Sequence, residues 1–411
     1  MRGTYLPWIA ALLFLVGLII HQVPLLLVAL LLLLVRGLTR VWERYGLVRI
    51  EFRRRLSASR AFFGDEVVLE LEIANRKPLP LPWLEVDEEI PAEVTLLTGQ
   101  TTQSSQPNRF LISNLFSLGW YHRVRRRYRM KCTQRGSFAF GPARVHSGDL
   151  FGFSRQEMDF ERVDRLTVYP RILPVVQPGI PSKQPLGDIR VRRYLFQDPI
   201  LTRGIRDYQS GDSLRTIHWK SSARLGRLQT RLFEPTTSVD MGIFLDVRTV
   251  PAPGWGNVPQ LLELGIIAAA SIASHAMASG YRVGLYINQL RQFTGQRIRI
   301  PPSQHADQMV HILEALAQVR GSVESMPVAR FVTQESRNLP WGSSILVVTA
   351  VPGEALLAAL LRMKRAGRSV ALVKVGGPQV MTARDGLPAY HVADTVPWDV
   401  LETITLRRAG Q

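Results

Sequence analysis

The sequence predicts an α/β chain in three parts: an N-terminal transmembrane helical hairpin, a β-sandwich, and a doubly wound α/β domain. Three observations predict it. Residues 5–35 carry no formally charged side chain. Residues 48–171 run as short alternating segments broken by Gly and Pro. Beyond residue 239, wholly apolar strand-length runs alternate with helical stretches, as in a parallel sheet covered on both faces. The boundaries read as 1–44 for the anchor, 45–173 for the sandwich, 174–204 for a Pro-rich linker and 205–411 for the rest.

The anchor is two apolar blocks, 6–20 and 24–35, separated by His21, Gln22 and then Pro24. One span needs about 20 residues, so the stretch is long for one crossing and short for two. A polar pair beside a proline suits a tight re-entry turn, because proline interrupts the helical ladder. The expected structure is a short hairpin. A cleaved signal peptide fits less well: Arg2 suits it, but the apolar stretch is too long and has no small-residue cleavage site at its end. Arg2 precedes the first block, and Arg36, Arg40 and Arg44 follow the second. Positive flanks stay on the cytoplasmic side. The expectation is therefore an inner-membrane protein with about 370 residues facing the cytoplasm.

In the second part, Leu69 to Ile73 alternates and Asn75-Arg76-Lys77-Pro78 breaks it. Further strands are read at 83–86, 109–112, 120–133, 137–140 and 166–169. In the strand around Arg126, Arg123, Arg125, Arg127, Arg129 and Lys131 share one face. Val124, Tyr128, Met130 and Cys132 point to the other. Two readings of the basic face stand open: a surface for lipid headgroups or an acidic partner, or a solvated face whose charges neighbouring strands balance. Cys132, the single cysteine, reads as a core filler, and an internal disulfide is excluded.

Lys plus Arg number 51 against 33 Asp plus Glu, a net charge of +18. That favours an anionic neighbour, whether phospholipid, nucleic acid or an acidic protein. Part of the excess is local, since residues 190–231 hold ten Lys/Arg against three Asp. No His/Cys cluster has metal-ligand spacing, and no Gly-x-x-x-x-Gly-Lys-Ser/Thr loop is present, so nucleotide hydrolysis would come from elsewhere. Neither a cofactor nor a small-molecule substrate is expected.

The most distinctive segment follows the Pro-rich stretch: Arg206, Tyr208, Gly211, Asp212, Arg215, Ile217, His218, Trp219, Lys220, Ser222, Ala223 and Arg224. From local chemistry, Asp212 is an N-cap for a short helix starting at Ser213. Ile217 and Trp219 read as apolar anchors to a core. His218 as general base, oriented by Asp212 and beside Lys220, gives a hydrolase alternative. A structural hydrogen-bonding role for Asp212, Arg215 and His218 is the preferred account.

This spaced pattern resembles the bacterial membrane proteins that carry the domain of unknown function 58. The apolar pair, Arg135-Gly136-Ser137-Phe138 and Gly148-Asp149-Leu150-Phe151-Gly152-Phe153 also look like that family. The resemblance implies a C-terminal domain similar to von Willebrand factor A domains. Many of those hold a metal with Asp-x-Ser-x-Ser after the first strand. Here the corresponding residues are Asp246-Val247-Arg248-Thr249-Val250, which keep the acid and lack both serines. A later strand ends Thr349-Ala350-Val351-Pro352, where a liganding Asp would stand. A hard divalent cation wants several oxygens, so no metal is expected, and Arg248 is a candidate to stand in its stead and pair with Asp246.

The resemblance further implies a non-enzymatic scaffold. Its expected partners are a MoxR-type AAA+ ATPase and a transglutaminase-like membrane protein, in assembly or maturation of envelope or secreted proteins. A nucleic-acid- or anionic-lipid-binding module is the third reading. Specific nucleic-acid recognition is not expected, since the chain lacks a recognition helix, a zinc module and an aromatic-studded basic strand set.

Overall fold

The charge-free N-terminal stretch folds as two helices, α1 (Leu6–Ile19) and α2 (Val23–Tyr45). The turn is made by His21, in the left-handed region at φ 52°, and Gln22. Pro24 does not form the turn. It sits in the first turn of α2, where a missing N–H leaves no ladder bond broken. Small residues bring the helices together: Ala10 and Ala29 are fully buried, and a Cβ on Gly17 would stand 3.1 Å from the Leu25 Cβ. The outward faces carry Trp8, Leu12, Leu15, Leu27 and Leu31, each more than half exposed. At 23 residues, α2 is about 35 Å long and is long and apolar enough to cross a membrane.

The computed structural model describes residues 6–149, 151–152, 155–176, 197–209, 217–235, 240–251, 257–290, 295–321, 325–378 and 386–408. The chain divides into two units, Met1–Tyr169 and Pro170–Gln411.

In the first unit, α2 leads into twelve strands among the described residues. They are β1 (Ile50–Leu56), β2 (Arg60–Phe62), β3 (Glu66–Asn75), β4 (Leu81–Pro91), β5 (Val94–Leu96), β6 (Thr102–Gln103), β7 (Arg109–Leu118), β8 (Arg123–Cys132), β9 (Gly136–Phe140), β10 (Ala143–Gly148), β11 (Arg155–Phe160) and β12 (Asp164–Tyr169). They form sheets of order β1-β3-β8-β5, β11-β10-β4-β7-β6 and β2-β12-β9. One core cluster includes Leu69, Leu71, Ile90, Met130, Phe140 and Leu166. A second gathers Ile50, Ile73, Leu84, Phe116 and Leu118 around Trp42 of α2. The apolar helix therefore ends inside the sandwich's packing: Trp42 Nε1 donates to the Pro80 carbonyl at 3.0 Å, and Lys77 Nζ donates to the carbonyls of Gly46 and Val48 at 2.7 and 2.9 Å. Burial lowers the Lys77 ammonium to about 8.

The alternation read in β8 holds: Tyr128, Met130 and Cys132 are buried while Arg125, Arg127, Arg129 and Lys131 are exposed. Antiparallel pairing with β3 sets Glu72 opposite Arg125 and Glu70 opposite Arg127. The resulting ion pairs are Arg123–Glu72 (3.3 Å), Arg125–Glu72 (2.7 Å), Arg127–Glu70 (2.7 Å) and Arg129–Glu66 (2.6 Å). Of the two readings of this face, the neighbouring strand does balance much of its charge. Arg126, out of phase in the sequence, lies over the Phe116 ring at 5.3 Å.

The second unit holds β13 (Val175–Val176), β14 (Gln197–Asp207), α3 (Trp219–Leu225), β15 (Gln229–Pro235), β16 (Asp240–Leu245), α4 (Pro259–Ala278), β17 (Arg282–Leu290), β18 (Arg297–Ser303), α5 (Gln308–Ala317), α6 (Val328–Glu335), β19 (Ser344–Thr349), α7 (Glu354–Arg365), β20 (Ser369–Val375), β21 (Ala389–Val392), β22 (Ile404–Thr405) and β23 (Arg407–Arg408). The stretch read as a linker, 174–204, is not irregular throughout. β13 pairs with β22 and β14 opens at Gln197, while residues 177–196 lie outside the described residues. β14 and β15 form an antiparallel ribbon.

The main sheet has the order β18-β17-β16-β19-β20-β21-β23, with β17, β16, β19, β20 and β21 parallel and the two edges antiparallel. β16 and β19 are buried at every position, as expected of strands covered on both faces. α6 and α7 pack through Phe331, Val332, Leu356 and Leu360 onto Phe244, Ile345, Val347 and Leu372. α4 is as apolar as a membrane span, but 67% of its most apolar window is buried, and it is a core helix.

Candidate functional site

Two places merit building up from their residues: the motif on α3, and the carboxyl ends of the central strands.

The motif lies beside the β14–β15 ribbon. Ile217 is buried and bridges to Thr230. His218 is the N-cap of α3: its Nδ1 accepts from Ser221 N at 3.1 Å, and its own N–H donates to the Gln229 carbonyl at 2.8 Å. Ser222 Oγ donates to the His218 carbonyl at 3.1 Å and accepts from Gln229 N at 2.9 Å, tying helix to ribbon. Gly226 closes the helix in the left-handed region at φ 65°, a C-terminal stop that glycine adopts without strain.

Asp212 as the cap, a helix from Ser213, Gly211 and Arg215 all fall outside the described residues. Within them the cap is His218, and the helix begins at Trp219. Trp219 is no core anchor either: it is 67% exposed. It sits at the first position of a short helix whose buried residue is Ser222, so its ring is turned outward. Lys220 and Arg224 are exposed beside it, as are Leu225 and Leu228. In β14, Arg206 Nη1 donates to the Asp207 carbonyl at 3.0 Å, and the Tyr208 N–H donates to the Leu228 carbonyl at 2.9 Å. The Nδ1 that a hydrolase would use for an orienting carboxylate is taken by the cap.

A family model described as "Protein of unknown function DUF58" matches residues 204–342, which include this motif. The chain carries a DUF58 domain. Over 301 residues it is 23% identical to the "Uncharacterized protein YeaD" of Bacillus subtilis (strain 168), covering 71% of this chain and 67% of that one. Among solved structures, a variant of BcpA, the major pilin subunit of Bacillus cereus, aligns at TM-score 0.24 and 5% identity, over 33% of this chain and 44% of the pilin. A non-cellulosomal cohesin from Archaeoglobus fulgidus aligns at TM-score 0.20 and 11% identity, over 29% of this chain and 91% of the cohesin. Scores this low fall short of a shared overall fold.

The second place lies inside the DUF58 match. The order of the main sheet reverses between β16 and β19, and in open α/β sheets the crevice at such a reversal is where ligands bind. Asp246 follows β16 there. Its Oδ1 accepts from Asn288 Nδ2 at 2.6 Å and from Arg248 N at 3.2 Å, and its Oδ2 accepts from Thr349 Oγ1 at 3.0 Å. Asn288 Oδ1 in turn accepts from Val247 N at 2.9 Å. Three strand ends are thus stitched together through one carboxylate that is 4% exposed. Burial raises its affinity for a proton, while the Arg248, Asn288 and Thr349 donors oppose the rise.

Arg248 approaches with Nε 3.8 Å from Oδ1, long for a charge-assisted bond. Asn288 and Thr349 therefore do most of what the sequence assigned to Arg248. Asn288 is not among the residues that the sequence singles out. A polar residue closing an apolar run was the available signal. Thr349 stands where a liganding Asp would, and its hydroxyl instead satisfies Asp246. A divalent cation does not fit these residues: the side-chain oxygens of Asp246, Asn288 and Thr349 are already engaged, with Asn288 Nδ2, with Val247 N and, for Thr349 and Asp246, with each other. Among the described residues no group of three or more His, Cys, Asp or Glu could hold a metal ion.

Proposed function

We propose that this DUF58 protein is a membrane-tethered docking protein that presents its motif face to a protein partner and leaves the chemistry to that partner. The observation that carries the reading is Trp219, a motif residue 67% exposed on a capped helix, with Lys220 and Arg224 beside it. Exposing a tryptophan is unfavourable unless something covers it, and Trp and Arg dominate the energetics of protein interfaces. His218, Ile217 and Ser222 hold α3 in place, so the motif divides into residues that build the surface and residues that form it.

The apolar hairpin supports the tether. Its outward leucines have no protein cover, and α2 continues without a break into the sandwich, which suits a fixed stand-off from a bilayer. The basic flank Arg36, Arg40 and Arg44 supports an inner-membrane location with both soluble units in the cytoplasm. A MoxR-type AAA+ ATPase is the partner proposed, with a transglutaminase-like membrane protein as a second component, acting in assembly or maturation of envelope or secreted proteins. A von Willebrand factor A-like identity for the main sheet is part of the same proposal. It is supported by the strand order with an antiparallel strand third in sequence (β18), and by an acid at the end of the first strand.

The test is co-purification of the full-length chain with a co-expressed MoxR-type ATPase from detergent-solubilised membranes. Trp219→Ala should cut recovery of the ATPase at least tenfold while the thermal unfolding profile stays unchanged. Undiminished recovery would refute the docking role of this face. Hydrolytic turnover lost on His218→Gln with folding intact would replace the reading with the hydrolase.

A further inference from the structure

We infer that the anchor-facing end of the sandwich is a second membrane contact, in which the β7–β8 turn seats Trp120 and Tyr121 in the headgroup layer of an anionic bilayer. The inference rests on the hairpin being a membrane anchor and adds a surface that the anchor does not require.

Trp120 and Tyr121 are 69% and 66% exposed at the tip of the turn that carries the chain from β7 in one sheet to β8 in another. The tip is not loose. Asn75 Nδ2 donates to the Gly119 carbonyl at 2.9 Å, Asn75 N donates to the His122 carbonyl at 2.9 Å, and Tyr121 N donates to the Lys77 carbonyl at 3.3 Å. Lys77 is the residue whose ammonium holds the Gly46 and Val48 carbonyls just past α2. One residue therefore joins the aromatic tip to the end of the apolar helix. Tyr121 is held in the left-handed region at φ 49°, a conformation a bulky residue adopts only where its surroundings impose it.

The level of the tip along α2 follows from packing. Leu118, the last residue of β7, shares a cluster with Trp42, and Thr39 is 1% exposed. Trp42 lies seven residues past Val35, the end of the apolar block, or about 10 Å along the helix. A headgroup layer is about 5–8 Å thick on each side, so modest tilt brings the tip within it. Between the apolar block and β1, Arg40, Arg44 and Arg49 are exposed and have no carboxylate partner among the described residues. Indole and phenol rings prefer the membrane interface, and arginines there meet anionic lipid. A protein partner would suit an aromatic tip too, but the continuity with α2 and the unpaired arginines favour lipid.

The test uses full-length protein reconstituted into phosphatidylethanolamine–phosphatidylglycerol vesicles, with an environment-sensitive fluorophore on Trp120→Cys, Tyr121→Cys or Leu97→Cys. The native Cys132 is fully buried and stays unlabelled. Leu97 is bonded to Arg129 of β8, six residues from Arg123, so it lies about 20 Å from the tip. If the inference is right, the vesicles float with the protein, the probes at 120 and 121 shift to the blue, and headgroup-level nitroxide lipids quench them several-fold more than the probe at 97. Flotation with a water-like probe at 120 and 121, or with equal quenching at 97, overturns the second contact and leaves the anchor standing. Absence of flotation overturns the anchor and the second contact together.

Discussion

Replacing Arg54 with methionine should be among the most damaging single changes in the sandwich. Arg54 points inward from β1 and is 5% exposed. Its Nε and Nη2 donate to the two oxygens of Glu88 on β4 at 2.5 and 2.9 Å, so the pair bridges two sheets. Its Nη1 donates to the Phe140 and Arg162 carbonyls at 2.9 and 2.8 Å and reaches Asp164 at 3.3 Å. Methionine fills most of the volume and supplies none of these bonds. A fully buried carboxylate stripped of its partner costs about 3–5 kcal/mol, and each abandoned carbonyl adds about 1–3 kcal/mol, less than additively. We expect a loss of about 4 kcal/mol, which lowers Tm by about 8–16 °C in a unit of this size. The assay is calorimetry of the full chain in detergent, run as a cycle of Arg54→Met, Glu88→Leu and both. The double variant should recover about half the loss, since it removes the orphaned charge but not the orphaned carbonyls. A shift below about 3 °C for Arg54→Met, or a double variant no more stable than the single, would refute the reasoning.

Glu88 also sets a pH dependence. Burial, outweighing Arg54, raises its carboxyl from 4.5 to about 7. Between those values the folded state keeps a proton that the unfolded state has released. This group's contribution is therefore complete below pH 4.5 and lost as pH rises through about 7. Glu88→Gln should flatten that slope, worth about 3 kcal/mol, as measured by urea midpoints across the window. Asp246→Ala should destabilise by about 2–4 kcal/mol, because Asn288 and Thr349 lose their acceptor; millimolar Mg²⁺ should leave the wild-type Tm unmoved, and a rise abolished by Asp246→Ala would make the cluster a metal centre. Trp42→Ala should cost about 3–5 kcal/mol through lost packing and the Pro80 bond, and limited proteolysis should then cut near residues 46–48. Burial pushes the Cys132 thiol up to about 11, with Asp65 adding to the rise, so maleimide at neutral pH should modify it only on unfolding.

Features that repeat locally were legible in the residues alone. The charge-free stretch 5–35 implied a pair of apolar helices, because hydrocarbon side chains without a charge leave the backbone few other options. Period-two spacing in β8 set which side chains face in, and the apolar strand-length runs beyond residue 239 marked the buried parallel strands, β19 and β20 among them. Spacing around Arg206–Arg224 was enough to point to the family. The remainder waited on the fold, because the deciding contacts join residues far apart in the chain. The basic stripe is balanced by Glu66, Glu70 and Glu72, more than fifty residues earlier. Arg54 looks like its exposed neighbours Arg53 and Arg55 until Glu88 meets it from another sheet. Asp246 finds Asn288 and Thr349 only because three parallel strands end at one level. Trp219 reads as core by composition and is surface in the fold, since the turn of α3 gives the interior to Ser222. Local pattern fixes which way a side chain points along its own element, and only long-range packing fixes what it meets there.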